Sequence, residues 1–149
     1  TMDPVSATLV CLAMNVYFEA RSEPLAGQIG VTQVVMNRVF DKRYPNTACE
    51  VIKQGPTRPS WKDRTISYPV KNRCQFSWYC DGKADVITDE KAWNTALAVA
   101  HGVYNNNVHD QVNGATHYHA YYVKPGWASQ KTPTAYIGDH LFYRWEINK

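Results

Sequence analysis

Between residues 5 and 24 an apolar helical stripe runs into an acid and then into a proline, and few folds accommodate that order. Val5, Leu9, Leu12 and Val16 recur at roughly 100° per residue. Glu19 falls on the edge of the same stripe, so its neighbours are Leu12 and Val16 rather than water. Pro24 disfavours helical geometry at Glu23, which places the end of the first helix near Arg21 or Ser22. Asp3 can cap that helix and Pro4 suits its first position. Glu19 then occupies the last turn, where the chain leaves the core and a cleft can open. A carboxyl among apolar neighbours has its pKa raised and stays protonated as a general acid. The structural alternative is an ion pair from Glu19 to Arg38 or Arg21. Glu23 reads as the residue leading into the second helix, with Pro24 at its first position.

The second helix is expected from Pro24 to about Phe40, with Leu25, Ile29, Val35 or Met36, and Val39 on its apolar side. Gly27 and Gly30 inside it weaken a helix, so they are read as permitting close packing against the first. Asn37 lies on or beside the apolar stripe and requires buried partners; it either orients Glu19 or bridges backbone groups. Thr47 caps a short helix, 48–54, with Val51 and Ile52 inward. Residues 61–73 read as a polar, irregular loop, and 74–82 as a strand-like piece closed by the Asp81-Gly82 turn. Asp89 caps a third long helix to about Val103, buried through Trp93, Leu97 and Ala100. Residues 116–123 and 135–143 read as β structure around a Pro125-Gly126 turn, with a polar loop to Pro133. Helices, a small β region, one helix and then strands read as α+β, in one domain spanning residues 1–149.

A chain of 149 residues can bury a real core. No apolar run approaches the ~18 residues of a membrane span, so no membrane insertion is expected. No signal peptide precedes the first helix, which fits a mature, trimmed or otherwise exported chain. Sixteen basic against thirteen acidic residues leave +3 without a dense cationic cluster, which argues against a nucleic-acid partner. Ten tyrosines and five tryptophans, each a flat face with a polar edge, suit sugar rings as well as a small core. The four cysteines allow three complete pairings. Cys74 and Cys80 are close enough for a local loop, which leaves Cys11 to tie the first helix to Cys49. An even count without Cys-x-x-Cys favours an oxidising compartment.

Three chemistries compete for these residues. Glu19 has no obvious carboxylate partner, although ordinary glycosidases use two; Glu50, Asp81, Asp85 and Asp139 are the candidates. His117-x-His119 would place two rings on one face of a strand, the start of a zinc site completed by His101, His109, His140 or an Asp. Hydrogen-bonding roles for these histidines compete with that reading. A Cys49 or Cys74 nucleophile conflicts with disulfide pairing, and no Gly-x-Ser-x-Gly elbow is present.

The order of motifs carries more weight. Tyr17-x-Glu19-Ala20-Arg21-x-Glu23-Pro24, Gly27-Gln28 and Val35-x-Asn37-Arg38-Val39 are followed by Pro45-Asn46-Thr47-x-Cys49-x-Val51-Ile52. Gln75-Phe76-Ser77, Asp81-Gly82, Gly114-Ala115-Thr116-His117-Tyr118-His119-Ala120 and Ile137-Gly138-x-His140-x-Phe142-Tyr143 complete the series. Together they resemble the SleB/CwlJ-type cell-wall hydrolases, a family that includes spore cortex-lytic enzymes and phage lysins. The resemblance covers nearly the whole chain. It implies a lysozyme-like domain cleaving the MurNAc-GlcNAc backbone of peptidoglycan, with Glu19 as the catalytic glutamate of a lytic transglycosylase. It further implies a 1,6-anhydro product, no cofactor and no metal. The expected substrate contacts are Gln75, Ser77 and His117 through polar groups, and Phe76, Trp78 and Tyr118 through ring faces. A monomer acting at the bacterial cell wall or periplasm, exported or phage-delivered, completes the reading. A hydrolytic muramidase, a zinc peptidase using His117 and His119, and a non-catalytic glycan-binding module are the alternatives. The chain departs from the family pattern at Ser22, where the family usually has Gly. Residues 56–73 look like an insertion that reshapes a cleft wall.

Overall fold

The computed structural model describes residues 2–147. Helix α1 (Pro4–Ala20) begins where Asp3 accepts the Ser6 backbone N–H at 2.9 Å, with Pro4 in its first turn. It buries Leu12, Ala13, Asn15, Val16, Tyr17 and Ala20. Val5 is 49% exposed and Leu9 half-buried, so the buried stretch starts one to two turns later than the stripe suggests. It is also wider, because other elements pack around the helix's second half.

Helix α2 (Leu25–Val39) has Pro24 as its cap rather than its first residue. Its inner face is Val31, Val34, Val35 and Arg38, while Leu25 is exposed and Ile29 half-buried. The glycines of α2 do not face α1. A Cβ on Gly30 would sit 3.0 Å from Val112 and 3.2 Å from Phe142, and one on Gly27 would meet Glu23 and Ile137. Their absent side chains let the C-terminal sheet approach α2. Helix α3 (Ala48–Ile52) is capped by Thr47, whose hydroxyl accepts the Glu50 N–H, and turns Val51 and Ile52 inward. The Cys11–Cys49 disulfide fastens α3 to α1.

Residues 61–73 are more ordered than their polarity suggests. Strands β1 (Thr57–Pro59) and β2 (Ser67–Pro69) form an antiparallel hairpin, paired Thr57↔Pro69 to Pro59↔Ser67. The segment after it is not a strand: Cys74–Cys80 closes a short loop over a 3₁₀ turn, Ser77–Cys80. Phe76, Trp78 and Cys80 are buried and Ser77 exposed. That period-two burial imitates a strand in sequence, although a bridged turn produces it.

Helix α4 (Glu90–Tyr104), capped by Asp89, packs on α1 and α2. Ala96, Val99 and Ala100 are its buried residues; Trp93 and Leu97 are half-buried. The C-terminal sheet has strand order β3 (His117–Ala120), β5 (His140–Arg144), β4 (Thr132–Ile137), all antiparallel. The apolar run 116–123 yields only four strand residues before the chain turns at Tyr121. The run 135–143 is split by a Gly138-Asp139 turn, where Gly138 adopts φ +55° and a Cβ would come within 2.7 Å of Glu23 Oε1. The α+β architecture read from the sequence is therefore present, built on two apolar clusters. One joins the four helices with Phe76 and Trp78, and the other joins Ala20, Val31 and Val34 to Val112, Ala115 and Phe142. Tyr118 packs against both. Among the described residues no helix is long and apolar enough to cross a membrane.

Candidate active site

Glu19 lies in the last turn of α1 and its neighbours along the helix are all held in place. The Tyr17 hydroxyl accepts the backbone N–H groups of Thr88 and Asp89 at 3.2 and 3.0 Å, anchoring the start of α4. Phe18 stacks on Trp78 with ring centroids 5.0 Å apart. Arg21 lies over the Tyr17 ring at 4.5 Å, so this cation is engaged with an aromatic face rather than with Glu19.

Two side chains of α2 hold the strand opposite. Asn37 Nδ2 donates to the Ala115 carbonyl at 2.8 Å, and Arg38 Nε donates to the Thr116 carbonyl at 2.7 Å. Asn37 thus bridges backbone, and Arg38 forms no ion pair with Glu19. With residues 115–116 clamped, β3 projects Tyr118 toward α1, and its hydroxyl donates a short hydrogen bond to Glu19 Oε1. The Tyr118 ring is braced by His140 and Phe142, at 5.0 and 5.6 Å between centroids.

Desolvation raises the Glu19 pKa above its ordinary 4.5, and the bond from Tyr118 opposes part of that rise. The Tyr118 phenol is pushed well above 10 by its own burial, the adjacent Glu19 charge and the shared hydrogen bond. Tyr118 therefore keeps its proton at any working pH and always donates. His117 is driven down to about 3 by desolvation and by the nearby Arg38, Lys131 and Arg43, so its ring is neutral. Its Nδ1 is 2.9 Å from the Thr116 hydroxyl.

These groups share a narrow cleft of about 80 Å³, lined by Glu19, Arg38, Gln75, Phe76, His117, Tyr118 and Trp127. Of the contacts expected from sequence, Gln75, Phe76, His117 and Tyr118 are brought together with Glu19. Ser77 is exposed and does not line the cleft. Trp78 is 8% exposed, stacked on Phe18, and donates Nε1–H to Asn15 Oδ1 at 2.8 Å. Sequence reasoning passed over Trp127, in a 3₁₀ turn (Gly126–Gln130) within the stretch read as polar loop. It weighed Arg38 only as a partner for Glu19. A tryptophan beside the Pro125-Gly126 turn, just after an aromatic strand, was the available signal for the former.

No second carboxylate lines the cleft among the described residues. Glu50 accepts from the Thr47 hydroxyl at 2.9 Å in the cap of α3. Asp81 accepts from the Lys83 N–H at 2.9 Å, and Asp139 donates its N–H to Glu23 Oε1 at 2.9 Å. Glu23 Oε1 is also 3.1 Å from His140 Nδ1, off the direction of a hydrogen bond. The histidines are dispersed in the same way. His119 Nδ1 donates to the Ala120 carbonyl at 2.7 Å, so Nε2 accepts from the Tyr143 hydroxyl at 2.8 Å. His117 and His119 do share a face, against Trp127. However, the described residues gather no set of three His, Cys, Asp or Glu side chains able to hold a metal. A larger hollow, about 770 Å³ between α2 and α4, has Glu90 and Lys91 as the charged residues of its lining, both exposed. The desolvated acid lies in the smaller cleft instead.

The chain belongs to the cell wall hydrolase family, whose pattern matches residues 22–143. Glu19 lies just before the matched span, so its place rests on the geometry above. A spore cortex-lytic enzyme from Halalkalibacterium halodurans is 29% identical over 136 residues, covering 88% of this chain and 33% of that protein. The chain thus spans about a third of the length of that curated relative. Among solved structures it resembles the catalytic domain of the germination-specific lytic transglycosylase SleB from Bacillus anthracis. The TM-score is 0.65 at 25% identity, covering 92% of this chain and 93% of that domain. The catalytic domain of Bacillus cereus SleB is similar, with TM-score 0.64 at 25% identity, covering 92% and 89% respectively.

Proposed function

We propose that this chain is a peptidoglycan lytic transglycosylase cleaving the MurNAc-GlcNAc backbone, with Glu19 acting first as acid and then as base. The observation that carries the reading is a single desolvated carboxyl, hydrogen-bonded to Tyr118 in a cleft where no second carboxylate stands among the described residues. Kinship with the cell wall hydrolases and likeness to the SleB catalytic domains support it. Because Tyr118 occupies Oε1 as donor, the transferable proton of Glu19 resides on Oε2. That proton passes to the glycosidic oxygen as the C1–O bond breaks. The resulting carboxylate takes the proton of the muramic C6 hydroxyl as that oxygen bonds to C1, which restores the acid without consuming water. His117 and Gln75 offer polar contacts to the sugar, and Trp127 offers an apolar face. The reading takes the chain as a monomer working as one catalytic domain at the cell wall.

Glu19→Gln tests this directly. The amide keeps the shape and still accepts from Tyr118 but cannot cycle a proton. Fragment release from purified peptidoglycan should fall by about 10²–10⁴-fold, with the thermal unfolding transition retained. Release near the parent rate would remove Glu19 from the mechanism.

A further inference from the structure

The hairpin of β1 and β2 supplies nothing to the cleft, yet the positive charge of the molecule is concentrated there. Residues 56–73 hold five Lys and Arg against one Asp, a net +4, whereas the whole chain carries +3. The rest of the chain is therefore slightly acidic. Arg58, Lys62, Arg64, Lys71 and Arg73 are all exposed, and among the described residues none of them pairs with a carboxylate. Asp63 is engaged locally, accepting the Thr65 N–H at 3.0 Å and the Thr65 hydroxyl at 2.7 Å. Like charges gathered in one segment repel one another, and an anionic partner relieves that repulsion.

The same hairpin displays aromatic rings that the core does not use. Trp61 is 82% exposed and Tyr68 58%, and neither belongs to the two apolar clusters. With Arg58 and Lys71 they line a hollow of about 450 Å³, within the size range of sites that take small ligands. Arg58 is paired with Tyr68 across the ladder, and the Lys62 ammonium lies 5.5 Å from the Trp61 ring centre. A flat aromatic face beside a cation suits a sugar ring that carries a carboxylate.

The hairpin is held against the loop that walls the cleft. At its base the Asn72 N–H donates to the Cys80 carbonyl at 2.8 Å, and the Gln75 N–H donates to the Gln54 carbonyl at 2.9 Å. Gln75 lines the cleft. Trp61 is seven residues beyond Gln54, so their Cα atoms lie within roughly 25 Å of each other even at full extension. A polymer with one stretch in the cleft thus has another stretch within reach of the hairpin.

Building on the glycan-cleavage reading above, we propose that this hairpin is a second binding site for peptidoglycan, separate from the cleft. Trp61 and Tyr68 lie against sugar rings, while Arg58, Lys62 and Lys71 meet carboxylates of the stem peptides. The hairpin holds the wall polymer while the cleft cuts it.

The test measures binding by Glu19→Gln protein, which leaves the polymer uncut, to insoluble peptidoglycan in three forms. One keeps its phosphate-bearing polymers, one is stripped of them with hydrofluoric acid, and one is stripped and then has its carboxylates converted to amides. Affinity should survive stripping, fall at least about tenfold on amidation and weaken with added salt. Adding Trp61→Ala, or Arg58→Gln together with Lys62→Gln, should weaken binding to the stripped form at least about tenfold. The charge pair should also flatten the salt dependence. All three side chains are exposed, so the thermal transition should be retained. Lys42→Gln with Lys91→Gln removes the same charge elsewhere on the surface and should leave the affinity unchanged. Hairpin variants that bind as before, a control pair that weakens binding equally, or amidation without effect would overturn the site. Binding lost on stripping would also overturn it and assign the hairpin to a phosphodiester polymer. Fragment release by the parent protein is followed separately on the stripped form. No release with binding intact would overturn the cleavage reading alone.

Discussion

A carboxyl that gives up a proton and later takes one back works best when its two oxygens are distinguishable, and Tyr118 distinguishes those of Glu19. The phenol donates to Oε1 and keeps its own proton, so the acid proton sits on Oε2. Two opposing effects act on the Glu19 pKa: desolvation raises it and the Tyr118 bond lowers it. Tyr118→Phe removes only the second, so the Glu19 pKa rises further. Protonated Glu19 then persists to higher pH, which moves the alkaline limb of the kcat/KM profile upward. The maximal rate should fall by roughly ten- to a hundredfold, the worth of one hydrogen bond to a charged group. A pH series on purified peptidoglycan checks this; a lower rate with an unmoved profile would show that Tyr118 does not tune Glu19. Glu19 was legible in the sequence because an acid beside Leu12 and Val16 breaks a local pattern. The role of Tyr118 was not. It was read as a ring for sugar to lie on, whereas its hydroxyl serves a residue 99 positions away, beyond any helical or strand period. Arg38 was mistaken for a similar reason: its acceptor, Thr116, is 78 positions distant.

Among the elements, those with local signals were readable and those shaped by cross-links or distant partners were not. The caps at Asp3, Thr47 and Asp89 follow from side-chain oxygens three residues ahead of the N–H groups they bind. Cysteine spacing likewise pointed to both disulfides. The 3₁₀ turn at 77–80 was misread because bridging Cys74 to Cys80 bends a segment whose alternation suits a strand. The two cross-links should differ in what they protect. Loop-closure entropy for a sequence separation of 38 is about 4 kcal/mol, against about 2 kcal/mol for a separation of six. Replacing Cys11 and Cys49 by alanine should thus lower stability by a few kcal/mol in denaturant titration, while native protein left at low temperature keeps its activity. Replacing Cys74 and Cys80 should cost less stability and more activity, because Gln75 and Phe76 of the cleft lie inside that loop. The opposite ranking in both measurements would reject this division of roles.

At the scale of the molecule, the cleft exists because five separate parts of the chain converge where the two apolar clusters meet. The end of α1 supplies Glu19 and α2 supplies Arg38; the bridged loop supplies Gln75 and Phe76, β3 His117 and Tyr118, and the 126–130 turn Trp127. Such convergence has no period, so motif order could suggest it without showing which side chains touch. Under the proposed reading it also decides the product. An inverting glycosidase needs a second carboxyl ~6.5–9.5 Å from the acid to activate water, and a retaining one needs a nucleophile at ~5–5.5 Å. Here the other acids weighed from sequence, Glu50, Asp81, Asp85 and Asp139, all lie outside the cleft walls. The muramic C6 hydroxyl needs neither partner, being held near C1 by the sugar itself, with the large effective concentration of an intramolecular nucleophile. Muropeptides released by this chain should accordingly end in 1,6-anhydromuramic acid, one water lighter than hydrolysis products. They should resist borohydride, because the anhydro bridge leaves no free reducing end. Mass spectrometry before and after borohydride treatment reads both properties in one sample. Predominantly hydrated, reducible ends would reject the transglycosylase in favour of a muramidase. In that case water would have to be activated by a group outside the seven cleft residues, and Asp81, Asp85, Glu50 and Asp139 would be the first to replace.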